Sequence, residues 1–288
     1  QEDLQYFKNI LRGNVHNYIE FSLDYAQAGF YSEAMELLLV YVENSDSVYP
    51  MAAYFMGWFA LKRNNIEIAE EWYNKAQNLN TDYCFPNRLE EVIVLKAVRK
   101  SNPKDSIAAY LLGNFWYAFR QYENAKECWE TSIKYDSVNA ICYRNLALLY
   151  YNKTNQKSLA KEHLEQAFKL DDKNPRLLME LDQLYKKMNV SIDERLKLLA
   201  NKKLTNSRDD LYLEYITLLN HKGEFEKALS LLEKRQFHPW EGGEGKVPFQ
   251  YVTINVEIAK KLIAEAKYQS AIEHLESAQI YPQNLGEG

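Results

Sequence analysis

Residues 105–174 hold two consecutive copies of one pattern, DSIAAYLLGNFWYAFRQYENAKECWETSIKYDSVN and AICYRNLALLYYNKTNQKSLAKEHLEQAFKLDDKN. In each copy a leucine (Leu112, Leu146) precedes a small residue (Gly113, Ala147), an aromatic (Trp116, Tyr150) and a turn. An alanine (Ala125, Ala160), a bulky residue (Trp129, Leu164) and a last small residue (Ser132, Ala167) follow. Each copy reads as helix–turn–helix, and such a unit buries its apolar face only against its neighbours. The pattern therefore constrains the chain to a stacked array. Ala125 and Ala160 lie 35 residues apart, and the same spacing separates Ala34 from Ala69.

The rest of the chain sorts around that pair. Residues 1–14 read as a short amphipathic capping helix with Leu4, Phe7, Ile10 and Leu11 on one face. Residues 15–85 carry two repeats, the second opened by Pro50 at a first helical position. Residues 86–104 (PNRLEEVIVLKAVRK and its exit) form one helix too many, because Ala69 and Ala125 are 56 residues apart. Residues 105–204 hold repeats three to five. The fifth is degenerate: Asn174-Pro175 opens it, Asp182 stands where the other repeats have Gly or Ala, and Arg195 has Glu180 and Asp182 as candidate partners. Residues 205–288 hold repeats six and seven. Ser207-Arg208-Asp209-Asp210 resembles a capping box at the start of the sixth. The seventh is expected from about Tyr251, after the irregular stretch HPWEGGEGKVPFQ.

That stretch has an echo. His238 to Gly245 (HPWEGGEG) aligns with Tyr281 to Gly288 (YPQNLGEG), each copy following a second helix. An array of this kind expects a further helix beyond the second copy, so the sequence is read as part of a longer protein.

Ten glycines and seven prolines make up about 6% of 288 residues, half the usual roughly 12%, which suits helices joined by short loops. The net charge of −5 argues against a nucleic-acid surface. The longest apolar run, residues 48–61, is too short for a membrane span of about 20 residues, and Gln1 opens no leader pattern. Cys84, Cys128 and Cys142 lack metal or disulfide spacing, and their odd number favours a reducing compartment. His163 and His274 sit in matching EHLE segments, yet residues 167 and 278 are alanine, so the second histidine of HExxH is missing. No GxSxG, Walker or GxGxxG motif occurs, and the expectation is a non-enzymatic chain with neither metal nor cofactor.

On these residues, segments 15–83 and 106–285 resemble tetratricopeptide repeats. The resemblance implies an all-α fold, a right-handed α-solenoid of about seven helix hairpins plus extra helices, with the first helices lining a concave face. It places Tyr54, Trp58, Tyr110, Asn114, Tyr117, Arg144, Tyr151, Met179 and Gln183 on that face, a set rich in the residue types that anchor partners. LLGNFWYAFRQYENAKECWE, CYRNLALLYYN, RDDLYLEY, FHPWEGGEG and YPQNLGEG resemble, more narrowly, the C-terminal repeats of large bacterial proteins of unknown function. In those proteins a mutarotase-like β-sandwich precedes the repeats. The implied partners are a protein or peptide, or that preceding domain of the same polypeptide.

A second reading makes the chain the accessory half of a carbohydrate-active protein. The His238–Glu244 loop would then complete a sugar site, with Trp240 stacking on the ring and Glu241 and Glu244 as acceptors or acid–base groups. Against it stands a purely structural turn, because the second copy keeps Pro and Gly-Glu-Gly but lacks counterparts of Trp240 and Glu241.

Overall fold

The computed structural model describes residues 8–285, and all regular structure among them is helical. The first half of the expected capping helix (1–7) and the second Gly-Glu-Gly (286–288) lie outside the described residues. The chain divides into two compact units between residues 156 and 157.

The first unit contains α1 (Val15–Gln27), α2 (Tyr31–Glu43), α3 (Pro50–Lys62), α4 (Ile66–Ala76), α5 (Leu89–Ser101), α6 (Ser106–Ala118), α7 (Tyr122–Tyr135) and α8 (Ala140–Asn152). The second contains α9 (Lys157–Leu170), α10 (Pro175–Lys187), α11 (Ile192–Leu198), the short α12 (Lys202–Thr205), α13 (Asp209–His221), α14 (Phe225–Lys234), α15 (Lys246–Ala264) and α16 (Tyr268–Ser277). A 3-10 turn, Gln283–Leu285, follows.

One turn design recurs. The first helix of each hairpin ends on a residue in the left-handed region: Gly29, Asn64, Arg120, Asn155, Asn189, Gly223 and Ala266, with φ between 54° and 89°. At six of the seven, the next amide bonds back to a carbonyl five residues earlier, as Gln121 does to Trp116 at 2.8 Å and Glu224 to Leu219 at 2.9 Å. This Schellman-type closure satisfies the last carbonyls of the first helix and reverses the chain.

Inside the hairpins, small residues of the first helix meet large rings of the second. A Cβ on Gly57 would lie 2.4 Å from the Tyr73 ring, and one on Gly113 would lie 2.4 Å from Trp129. The repeat alanines Ala34, Ala69, Ala125, Ala160, Ala228 and Ala271 are all buried, none more than 2% exposed. First helices of successive hairpins also touch, α1 on α3 and α13 on α15.

The extra helix changes this scheme. α5 packs on α3 and on α6. Its start is fixed by buried Glu91, whose Oε2 accepts the amides of Asn87 and Arg88 at 2.6 and 2.8 Å. The chain leaving it delivers Asp105, the N-cap of α6, whose carboxylate accepts the Ala108 amide at 2.8 Å. The same carboxylate accepts the Tyr54 hydroxyl at 3.0 and 3.1 Å. Tyr54 is completely buried, so its expected place on a recognition face is corrected: its hydroxyl serves the core. Tyr110, also expected on that face, is buried too. The repeat-based placement assumes a plain first helix beside α3, and α5 takes that position instead.

Two helix starts also differ from expectation. Ser207 forms no capping box: its hydroxyl donates to the Leu204 carbonyl at 2.6 Å, and the Arg208 side chain holds Asp210. α15 begins at Lys246, so KVPFQ is helical rather than irregular. Pro248 sits in its first turn, where a missing N–H costs nothing.

Burial raises the Asp105 pKa to about 6, partly opposed by hydrogen bonds from Ala108 and Tyr54. A carboxyl with a folded pKa above its unfolded value of about 3.9 holds its proton more tightly when folded, so stability falls as pH rises from the unfolded to the folded value. The first unit should therefore become less stable as pH rises from about 4 to 6, by on the order of 1–3 kcal/mol. Asp105→Asn should flatten that dependence and keep at least wild-type stability at neutral pH. Urea midpoints measured across this pH range check it, and a sloping profile in the variant would contradict it.

Candidate functional site

The second unit carries a cleft across the faces of its first helices. Three adjoining cavities of about 280, 450 and 410 Å3 share walls at Trp240 and Glu241, at Glu244 and Gly245, and at Leu213, Glu214 and Lys246. α10 contributes Met179, Asp182, Gln183 and Lys186, and α13 contributes Asp210, Leu213, Glu214 and Thr217. The first turn of α15 adds Lys246, Phe249 and Gln250, and the turn His238–Gly245 closes one end. Met179 and Gln183, expected from the repeat pattern, and Trp240 and Glu241, expected as a separate loop site, thus line one cleft.

A buried ion-pair network forms its floor. The Arg195 guanidinium grips Asp182 through two hydrogen bonds of 2.9 and 2.8 Å and reaches Glu214 at 2.7 Å. Lys186 approaches Glu214 from the exposed side at 2.9 Å. Arg195 is only 6% exposed. Burial opposes its charge, but the hydrogen bonds it donates to Asp182 and Glu214 outweigh that and hold its pKa above the usual value. Burial likewise works against the Glu214 charge, and Lys186 and Arg195 overcome it, keeping that carboxyl below its ordinary range. Of the two candidate partners of Arg195, Asp182 takes the pair. Glu180 bonds Arg176 instead, at 3.1 Å.

The turn at the end of the cleft is tightly built. Gly242 and Gly245 have positive φ, 75° and 68°. Gly243 lies against the indole of Trp240, where a Cβ would come within 2.2 Å of the ring. That part of the ring is therefore covered by the turn itself, and the half-buried Trp240 packs on the core around Phe237, Val247 and Leu285. His238 is exposed; its amide donates to Asp209 at 3.0 Å, and its ring Nδ1 lies 3.4 Å from the same carboxylate. Burial would raise the Asp209 pKa, but the His238 amide and Arg235 hold it below the usual range. Glu241 is exposed, and Glu244 accepts the Gly242 amide at 3.2 Å.

The remaining expected face residues belong to the first unit. Asn114 accepts the Trp129 indole N–H at 3.1 Å and the Asn145 amide at 3.3 Å. Tyr117 is half-buried between the rings of Tyr122 and Trp129, and Trp58 lies edge-on to Tyr31 under Lys62. Arg144 and Tyr151 are half-buried, and each has partners. A seventh repeat starting at Tyr251 leaves out Phe249, 65% exposed at the cleft, and Lys246 beside it. The signal was the proline two residues into KVPFQ, a helix-start mark.

Other candidate chemistry is spoken for. The three cysteines are free and buried, and burial pushes their pKa values up to about 12 for Cys84, 11 for Cys128 and 12 for Cys142. His163 Nδ1 contacts the Leu159 carbonyl, and His274 Nδ1 contacts Asn255. Among the described residues no group of three or more His, Cys, Asp or Glu is placed to hold a metal ion, and no helix is long and apolar enough to cross a membrane.

The fold is thus all-α and built from tetratricopeptide-type hairpins, with small-to-large helix contacts and one turn design repeated. No protein-family model matches the chain. Among solved structures it is similar to YrrB, a tetratricopeptide repeat protein with an unusual peptide-binding site, at 18% identity over 64% of this chain and 90% of that one, TM-score 0.46. It is also similar to the C-terminal part of a tetratricopeptide repeat-containing protein of Cytophaga hutchinsonii, at 13% identity over 93% and 97% of the two chains, TM-score 0.44. A tetratricopeptide repeat protein of Parabacteroides merdae shows 15% identity over 92% of each chain, TM-score 0.38.

The network yields a prediction. Removing Arg195 alone, as Arg195→Met, leaves Asp182 buried without its partner and should cost about 3–5 kcal/mol. Adding Asp182→Ala recreates the small-against-large contact of the other repeats and should recover most of that loss. Denaturant unfolding of both variants checks this; a double variant as weak as the single one would refute it.

Proposed function

We propose that the chain is a non-catalytic interaction module that takes an extended peptide segment along the cleft of α10, α13 and α15. The supporting observation is the continuity of that cleft over three first helices, with apolar anchoring points at Met179, Leu213, Trp240 and Phe249. The same lining carries the hydrogen-bonding side chains Gln183, Thr217 and Gln250. Apolar pockets interleaved with a few polar groups suit a bound chain, and the buried floor network keeps the first helices in register. An occupant on a separate protein and one on a preceding domain of the same polypeptide would use the same chemistry. A role for Trp240 as a sugar platform is less well supported, because Gly243 already occupies part of its ring.

Random-peptide display against the whole chain tests the reading. Recovered peptides should share an apolar anchor, and Phe249→Ala combined with Gln183→Ala should weaken them at least about tenfold. Both residues are exposed, so helicity and unfolding midpoint should not change. Peptides that bind the variant as tightly as the wild type would rule out this cleft.

A further inference from the structure

α14 ends without a cap of its own. Its C-cap, Arg235, is extended (φ −104°, ψ 134°) and closes no turn of the kind that ends the first helices. The free carbonyls are met by a residue about fifty positions along the chain. Asn284 Nδ2 donates to the carbonyls of Leu232, Glu233 and Arg235 at 3.1, 3.1 and 2.9 Å. The backbone carbonyl of Asn284 accepts the Phe237 amide at 2.9 Å. Its neighbour Leu285 is buried in the core that holds Phe237 and forms a wall of the 280 Å3 cavity with Trp240 and Val247. The described end of the second echo segment, Asn284 and Leu285, therefore meets the turn that holds the first, and Leu285 helps wall its pocket.

Among the described residues, little else holds this segment. Ile280 and Tyr281 are 73% and 51% exposed. One buried leucine and a handful of hydrogen bonds gain an amount comparable with the entropy lost in ordering five residues, so docked and released states lie close in free energy. The specificity lies in Asn284. An amide presents N–H donors to converging carbonyls, whereas a carboxylate at the same place presents only acceptors.

We infer that residues 281–285 form a strap that docks and releases while the rest of the second unit stays folded. Asn284 acts as the positioning residue that sets the Leu285 wall of the cleft. Strap docking and cleft occupancy then favour each other, since coupling between two binding events is reciprocal. The coupling rests on the peptide reading above, while the strap's own release does not.

Native-state hydrogen exchange on the whole chain tests both parts. The Phe237 and Leu285 amides should exchange together, at least about tenfold faster than the core amides of α13. Asn284→Asp should speed Phe237 exchange by a further factor of at least about ten and leave α13 unchanged. The tightest peptide recovered by display should slow both amides in the wild type and bind the variant at least about tenfold more weakly. A Phe237 amide that exchanges only as slowly as the α13 core would overturn the strap. Fast release with unchanged peptide affinity in the variant would overturn the coupling. Failure to recover any peptide would sink the cleft reading and the coupling with it, and the exchange comparison would still decide the strap.

Discussion

Close approach of two helices through a small residue is the contact on which the hairpins depend. At Gly57 and Gly113 the backbone of the first helix lies against a ring of the second, with no room for even a methyl group. Interiors packed to this density do not deform smoothly, so the ring fixes both the spacing and the rotation of its partner helix. Trp129 shows how far one such contact reaches. Its indole sits on Gly113, its N–H is held by Asn114, and its ring packs on Tyr117. Aromatics that a repeat pattern assigns to a recognition surface are, in the first unit, largely engaged in holding hairpins together.

The second unit meets the same constraint differently. Asp182 stands at the place that Gly57 and Gly113 hold in their repeats, and a bidentate guanidinium from the second helix meets it there instead of a ring. A buried ion pair is weak evidence for stability, because desolvating two charges offsets much of their attraction. Its consequence here is geometric. Arg195 and Glu214 tie α11 to both α10 and α13, and Lys186 extends the tie to the cleft surface. The network thus meets the cleft wall at Asp182, Glu214 and Lys186, beside Trp240 and Phe249.

Local chemistry with a fixed offset was legible in the sequence. The spacing of Ala34, Ala69, Ala125 and Ala160, the Asn174-Pro175 helix start and the extra helix before Asp105 could all be read from residue order, because each depends on neighbours a few positions away. Contacts that join distant segments were not. Nothing around Tyr54 announces that its hydroxyl meets a carboxylate 51 residues later, and the repeat rule that placed it on a face assumes no inserted helix. The echo between HPWEGGEG and YPQNLGEG is a visible pattern, but nothing in it shows that Asn284 caps α14 and sets Leu285 against the first turn. Periodicity reports which side of a helix is apolar, and a chain with 22 tyrosines gives little contrast between a ring in the core and a ring on a surface.

A double-mutant cycle at Gly113 and Trp129 tests the central contact most directly. Alanine is favoured over glycine in a helix by roughly 1 kcal/mol, so Gly113→Ala would stabilise the chain if the site had room. The expected result is the opposite, a loss of about 1–3 kcal/mol from overpacking. That loss should vanish or reverse when the substitution is made in a Trp129→Leu background, with an interaction term above about 1 kcal/mol. Substitutions that add independently within about 0.5 kcal/mol would contradict it, because the indole would then not be what excludes the methyl group.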